Sequence, residues 1–273
     1  MPILNKILLF CFISMLALPC FGQGDGPRAH LFAPTGVWAI NPKFLHLNQN
    51  VLPAGNILVQ DFDITVDIFP TTLVHSFAIK GRLARVYAMM NPGSFTAKTD
   101  ILDNNFIKEV HASGFSDGFL AFEIGLIGAP AIDALQFSKQ GTQFSLMGYF
   151  RYWYSGTYDS DKIINLGTNR VTFELAAPMA IPFHKDLKQN ATWLEIFPSI
   201  QLYTANNDPA RGSFTEKVEQ DPMLIIESHL THNFTKKLWV GVETGQNNIS
   251  ADMLRFSLVF ACINLKKLNL KTN

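Results

Sequence analysis

The sequence predicts an all-β protein, an antiparallel up-and-down transmembrane β-barrel. Three observations predict it. Apolar and polar residues alternate with period two in ten separate segments. Charge is scarce, yet no apolar run of helix length follows the leader. The connections between segments alternate between long and short. Period two places successive side chains on opposite faces of a strand, so each segment has two unlike environments. A lipid-facing barrel spreads its apolar surface over half the positions of many strands.

Composition sets the frame. The chain has 273 residues, of which 48% are hydrophobic and 16% charged, with 23 Phe. An average soluble domain carries roughly 25% charged residues, and a membrane helix needs about 20 apolar residues in a row. Lys+Arg and Asp+Glu are both 22, so the net charge is zero and there is no basic footprint for nucleic acid.

The first element is a leader over 1–22. Lys6 supplies its positive end, 7–18 its short apolar stretch, and Pro19 ends it, with cleavage expected after Gly22. The barrel is then expected over 23–273. Cys11 and Cys20 leave with the leader, and Cys262 remains alone in a strand, which precludes an intrachain disulfide in the mature chain.

Strands are expected over 37–47, 62–77, 83–89, 119–127, 143–154, 170–177, 192–204, 223–234, 238–243 and 253–262, with the start of another at 268–270. Pro70 interrupts the second and predicts a bulge or break there. The connections 48–61, 90–118, 155–169 and 205–221 are long and polar, whereas 78–82 and 235–237 are short. That order fits odd strands rising to an external face and even strands returning to short periplasmic turns.

Phase gives an independent check. Arg85 lies with Tyr87 opposite Val86, and Glu123 lies opposite Leu120, Phe122, Ile124 and Leu126. The same holds for Arg151, for Arg170 with Glu174, for Glu195 with Gln201, for Glu227 with His229, and for Arg255. A cation on the lipid face at mid-bilayer costs about 2–4 kcal/mol, so these charges are expected to line the interior. Arg85, Arg151, Arg170 and Arg255 are expected to pair with Glu123, Glu174, Glu195 and Glu227. Such pairs either hold the interior together or line a solute path. Tyr87, Tyr149, Trp153, Trp193, Tyr203 and Trp239 are aromatic candidates for the same face.

The segment Leu166-Gly167-Thr168-Asn169 is expected to form a fixed turn at the pore mouth, because Gly and Asn adopt left-handed backbone angles readily. Arg170 follows it at the strand mouth. Catalytic patterns are missing: there is no GxSxG elbow, no CxxC pair and no Gly-rich phosphate loop. His229 and His232, three apart on a strand, face opposite ways and make a poor metal pair. Asp159 and Asp161 offer carboxylates for calcium, or simply charge an external loop. His111 and Ser113, expected in a polar loop, lack a third partner for acyl transfer.

Several motifs together resemble a known family. They are GPRAHLFAPTG at 26–36, GFSDG at 114–118, LIGAP at 126–130, YDSDKIINLGTNRVTF at 158–173 and EQDP at 219–222. In this order they resemble the outer-membrane transporters filed under the meta pathway of phenol degradation, over nearly the whole mature chain. The resemblance implies a bacterial outer-membrane barrel of about twelve strands, exported through a cleaved signal peptide. It implies passive uptake of small hydrophobic or aromatic compounds, with no catalysis and no cofactor. The implied partners are membrane lipid, such solutes and the outer-membrane assembly machinery. Members usually end in a closing strand with a terminal aromatic residue, whereas this chain stops at Lys271-Thr272-Asn273. The barrel is therefore incomplete at its C-terminus, or its last strand is short, or the N-terminal segment helps to close it. A structural or plugged barrel without transport, and a membrane-embedded hydrolase or acyltransferase, are the alternative functions.

Overall fold

The computed structural model describes residues 25–49, 62–99, 109–183, 191–211, 213, 215–235, 238–247 and 255–262. The expected leader, the tail 263–273 and the side chain of Arg255 lie outside the described residues. Thirteen strands form one sheet, and every pairing in it is antiparallel. They are β1 (Trp38–Pro42), β2 (Leu45–Gln49), β3 (Phe62–Ile68), β4 (Thr71–Ile79), β5 (Arg82–Thr99), β6 (Glu109–Ile127), β7 (Ser145–Tyr154), β8 (Thr172–Ala176), β9 (Met179–Pro182), β10 (Thr192–Tyr203), β11 (Met223–Asn233), β12 (Leu238–Asn247) and β13 (Arg255–Cys262).

Two of the expected strands are each split into a pair of shorter ones, and β9 is an additional strand beyond the expected 170–177. β1 pairs with β4 and β2 with β3, while β3 and β4 both pair with the long β5. The break between β3 and β4 falls at Phe69 and Pro70, as the ring of Pro70 requires. β8 and β9 are separated by Ala177 and Pro178 and share neighbours β7 and β10. The ten expected strands are thus all present and joined up-and-down. Among the described residues no pairing joins β1 to β13.

One connection departs from expectation. Most of 90–118 is strand, because β5 continues to Thr99 and β6 begins at Glu109. The extension pairs with β3, which satisfies its backbone groups, and its Phe95 and Ala97 pack on Ile64 and Val66 in a small apolar cluster. A short helix, α1 (Ala134–Lys139), lies in the connection between β6 and β7. Its capping box joins Asp133 and Gln136: the Gln136 N–H donates to Asp133 Oδ1 at 2.7 Å, and the Asp133 N–H to Gln136 Oε1 at 3.4 Å.

The sheet inverts the usual distribution of polarity. Leu175 is 52% exposed and Leu120 53%, while Glu123 is 0% and Glu174 2% exposed. Leu73, Val86, Phe150, Phe173, Leu202, Leu224, Ile226, Leu230 and Val242 also face outward. Such a continuous outer apolar band, with charges turned inward, is the pattern of a wall between hydrocarbon and a polar interior. Among the described residues no helix is long and apolar enough to cross a membrane.

Candidate functional site

The chain before β1 fills the interior. Residues 25–36 bond to strands from opposite sides of the sheet, so the sheet curls around them. The Arg28 N–H donates to Glu195 Oε2 at 2.7 Å and its guanidinium Nη2 to Asn233 Oδ1 at 2.6 Å. That guanidinium also sits 4.3 Å from the Trp239 ring centroid. On the opposite wall, Arg85 Nη1 donates to the carbonyl of Leu31 at 3.1 Å. Leu31 packs on Ala180, Ala191 and Trp193, and Phe32 on Leu83, Ala129 and Met147. Gly36 leaves this segment with φ +77°, where its missing Cβ removes the strain.

A charge network joins the segment to β5, β6, β7 and β8. Arg85 Nε stands 2.7 Å from Glu123 Oε2, which also accepts from the Tyr87 hydroxyl at 2.5 Å. His30 lies between two carboxylates, 3.1 Å from Glu123 Oε1 and 3.1 Å from Asp25 Oδ2. Its ring stacks on Phe197 at 4.8 Å. Asp25 pairs with Arg151, whose Nε donates to the Tyr149 hydroxyl at 2.7 Å and whose Nη1 is 3.5 Å from Glu174. Burial alone would lower the His30 pKa, but the Glu123 and Asp25 carboxylates outweigh it and raise it to about 9. For Asp25, burial opposes ionisation, yet Arg151 and His30 hold its carboxyl below the usual range.

The expected interior residues fall as follows. Arg85, Glu123, Arg151, Glu174 and Glu195 are buried on the inner face, and Glu227 and Gln201 are half-buried. Arg85 meets Glu123 at 2.7 Å and Arg151 meets Glu174 at 3.5 Å. Other pairings differ. Glu195 meets the backbone of Arg28 rather than a strand arginine. Arg170 lies over the Tyr203 ring at 4.8 Å, and Glu227 is nearest to His229 at 3.9 Å. The sequence reading left out Asp25, Arg28 and His30 because a segment without periodicity gives no sign of facing inward. Arg255 opens β13, where it pairs with Gly245 in the backbone register.

At the long-loop end, the expected turn exists and its anchor is Asp117 of the GFSDG motif. Asp117 Oδ1 accepts from the Thr168 N–H at 3.0 Å and the Gly156 N–H at 2.9 Å, and Oδ2 from the Thr168 hydroxyl at 2.5 Å. Gly167 packs against Gly156 so closely that a Cβ there would stand 2.6 Å from the Gly156 carbonyl carbon. Asn169 takes φ +53° and bonds Asn206 through its side chain at 2.9 Å. This frame shapes a pocket lined by Val66, Ile68, Phe95, Ile164 and Leu166, with Tyr158, Arg170 and Asn206 supplying polar groups.

Elsewhere, Asp159 Oδ1 accepts from the Asp161 N–H at 3.1 Å, and Asp159 pairs with Lys162 at 3.8 Å. His111 is on β6 rather than in a loop, with its Nδ1 3.2 Å from the Thr96 hydroxyl. His232 bonds the Thr192 hydroxyl at 2.8 Å.

A family model described as "Putative MetA-pathway of phenol degradation" matches residues 47–255. The chain belongs to this family. The phenol-degradation family match spans every strand from β3 to β12 and includes the Asp117–Thr168 clamp. No curated protein matches the chain. Among solved structures, the crystal structure of an outer membrane channel from Pseudomonas putida F1 is similar, with 16% sequence identity and a TM-score of 0.61. The match covers 86% of this chain and 78% of that one, and it establishes that the two share a fold.

Proposed function

We propose that this chain is a bacterial outer-membrane channel for passive uptake of small hydrophobic or aromatic compounds. The observation that carries the reading is the apolar pocket at the long-loop end, held open by the Asp117 clamp. Its Phe95, Ile164 and Leu166 walls suit an apolar ring or short chain, and Arg170 and Asn206 offer polar contacts to a hydroxyl or carboxyl. The outer apolar band supports contact with membrane lipid. The family's description in terms of phenol degradation, and the similarity in fold to an outer membrane channel, support the same class of solute path. Trp153 and Tyr203, half-buried on the inner wall, offer further aromatic faces. On this reading the protein is not an enzyme, takes no cofactor and is inserted by the outer-membrane assembly machinery.

The test is uptake of labelled aromatic and aliphatic compounds by cells with and without the protein. Ile164→Asp, which places a charge in the pocket, should cut aromatic uptake by about tenfold, equivalent to about 1.4 kcal/mol, while leaving heat-modifiable gel migration intact. Equal uptake with and without the protein, across the whole panel, would reject the reading.

A plugged barrel without transport is the second reading, favoured by the occupation of the interior by residues 25–36. Planar-bilayer recordings separate the two, since a permanently plugged barrel passes no current under any condition.

A further inference from the structure

We propose that β11 and β12 carry a divalent transition-metal site on the inner wall, formed by Glu227, His229 and Glu243. Antiparallel pairing sets His229 directly opposite Glu243, and Glu227 is two residues before His229 on the same face. One ligand atom from each lies within 4.8 Å of the others. His229 Nε2 is 3.9 Å from Glu227 Oε2, and Nδ1 is 3.8 Å from Glu243 Oε2. Both separations are too long for hydrogen bonds; the two imidazole nitrogens point apart, so a single ring nitrogen of His229 with one oxygen from each glutamate makes the three-donor set. Donors held at about 2.1 Å from a zinc ion stand up to about 4.2 Å apart, and glutamate rotamers span the remaining difference.

Two further observations point to a cation. The imidazole of His229 is 3% exposed, and its Nδ1 has no hydrogen-bond partner although it faces Glu243. From β10, Glu195 sits directly across from His229, and its Oε1 is buried without a hydrogen bond. A buried polar atom without a partner is costly, and three carboxylates here surround one imidazole. Among the described residues no Lys or Arg nitrogen lies within ion-pair distance of Glu227 or Glu243. One imidazole nitrogen with two carboxylate oxygens is a borderline donor set, suited to zinc, manganese or ferrous iron. Gly245, opposite Glu227 in the register, brings no side chain over the site.

The test uses the full chain in detergent micelles, stripped with a chelator and titrated with zinc chloride alone. One zinc ion should bind per chain. His229→Asn and Glu243→Gln should each weaken that binding by at least about 100-fold, the upper end of the losses seen for metal-site partners, whereas Glu219→Gln on an exposed loop should not change it. No binding to the unmutated protein, or equal binding in all variants, overturns the proposal. Anomalous diffraction from a zinc-soaked crystal decides the matter if a variant fails to fold. A peak between the three side chains supports the site, and a peak elsewhere or none overturns it. The outcome is independent of which solute is carried, so failure here leaves the uptake reading untouched.

Discussion

The two sides of the inner face treat charge differently. On β5 to β8, the carboxylates Glu123 and Glu174 meet Arg85, Arg151, His30 and Tyr87 at hydrogen-bonding or ion-pair distance. On β10 to β12, Glu195 accepts from the Arg28 backbone N–H, and among the described residues His229 is the ionisable partner within 4 Å of Glu227 and Glu243. The N-terminal segment follows this division. It gives Asp25 and His30 to the balanced side; to the acidic side it gives Arg28, whose backbone N–H meets Glu195 and whose guanidinium bonds Asn233 and lies over Trp239 rather than contacting Glu227 or Glu243. The balanced wall is thus a structural assembly, and the acidic wall keeps capacity for a positive guest.

The largest effect should come from breaking the balanced wall. Arg151→Met leaves Glu174 without its cation and Asp25 with His30 alone, and removing one partner of a buried pair costs about 3–5 kcal/mol. The midpoint of urea unfolding in micelles measures it. An unchanged midpoint would mean that the wall is not held by its ion pairs.

Next in size is the response to pH. Asp25 is held below its ordinary value, so its contribution is present above about pH 4 and lost as pH falls through that range. His30 is raised to about 9, so its contribution is full below its ordinary value of 6.5 and lost as pH rises through 9. The segment 25–36 should therefore be held most firmly between about pH 4 and 6.5. Single-channel current should be lowest in that window and rise toward pH 10. A His30→Phe variant, which keeps the stack on Phe197, should lose the alkaline rise.

The sequence disclosed the strands well and the interior filling poorly, for physical reasons. Lipid outside and charge inside force strict alternation, so segments such as 119–127 and 192–204 were legible residue by residue. The upper parts of β5 and β6 do alternate, with Phe95, Ala97, Val110 and Ala112 on the packed face, but Pro92, Gly93 and Gly114 interrupt the pattern between them and the lower strand and disguise the continuation. The segment 25–36 has no period, and its partners lie up to 205 residues away, as in Arg28 with Asn233. Asp117 and Thr168 stand in two separately recognisable motifs, but their bond spans 51 positions. His229 opposite Glu243 was within reach, because the short connection after Asn233 fixes the register with Trp239.

The Asp117 clamp separates the mouth from either wall. Asp117→Ala removes the acceptor of three donors, two of them backbone N–H groups. Leaving such donors unsatisfied costs about 1–3 kcal/mol for each one that water cannot reach. Protease nicking within 155–171 should accelerate, and aromatic uptake should fall, while the pH response of the current stays the same. A change in that response would mean that mouth and plug act as one unit.

The smallest effect is expected on the acidic wall, and it sharpens the comparison most. Glu243→Gln keeps the shape of the side chain and removes one of three neighbouring carboxyl groups. No Arg or Lys loses a partner among the described residues, so metal-free stability should change by less than about 0.5 kcal/mol. The same conservative change at Glu123 strips charge from a carboxylate bound by Arg85 and His30 and should cost several times more. If the two substitutions cost the same, β10 to β12 would be as tightly balanced as β5 to β8, and the distinction between the walls would fail.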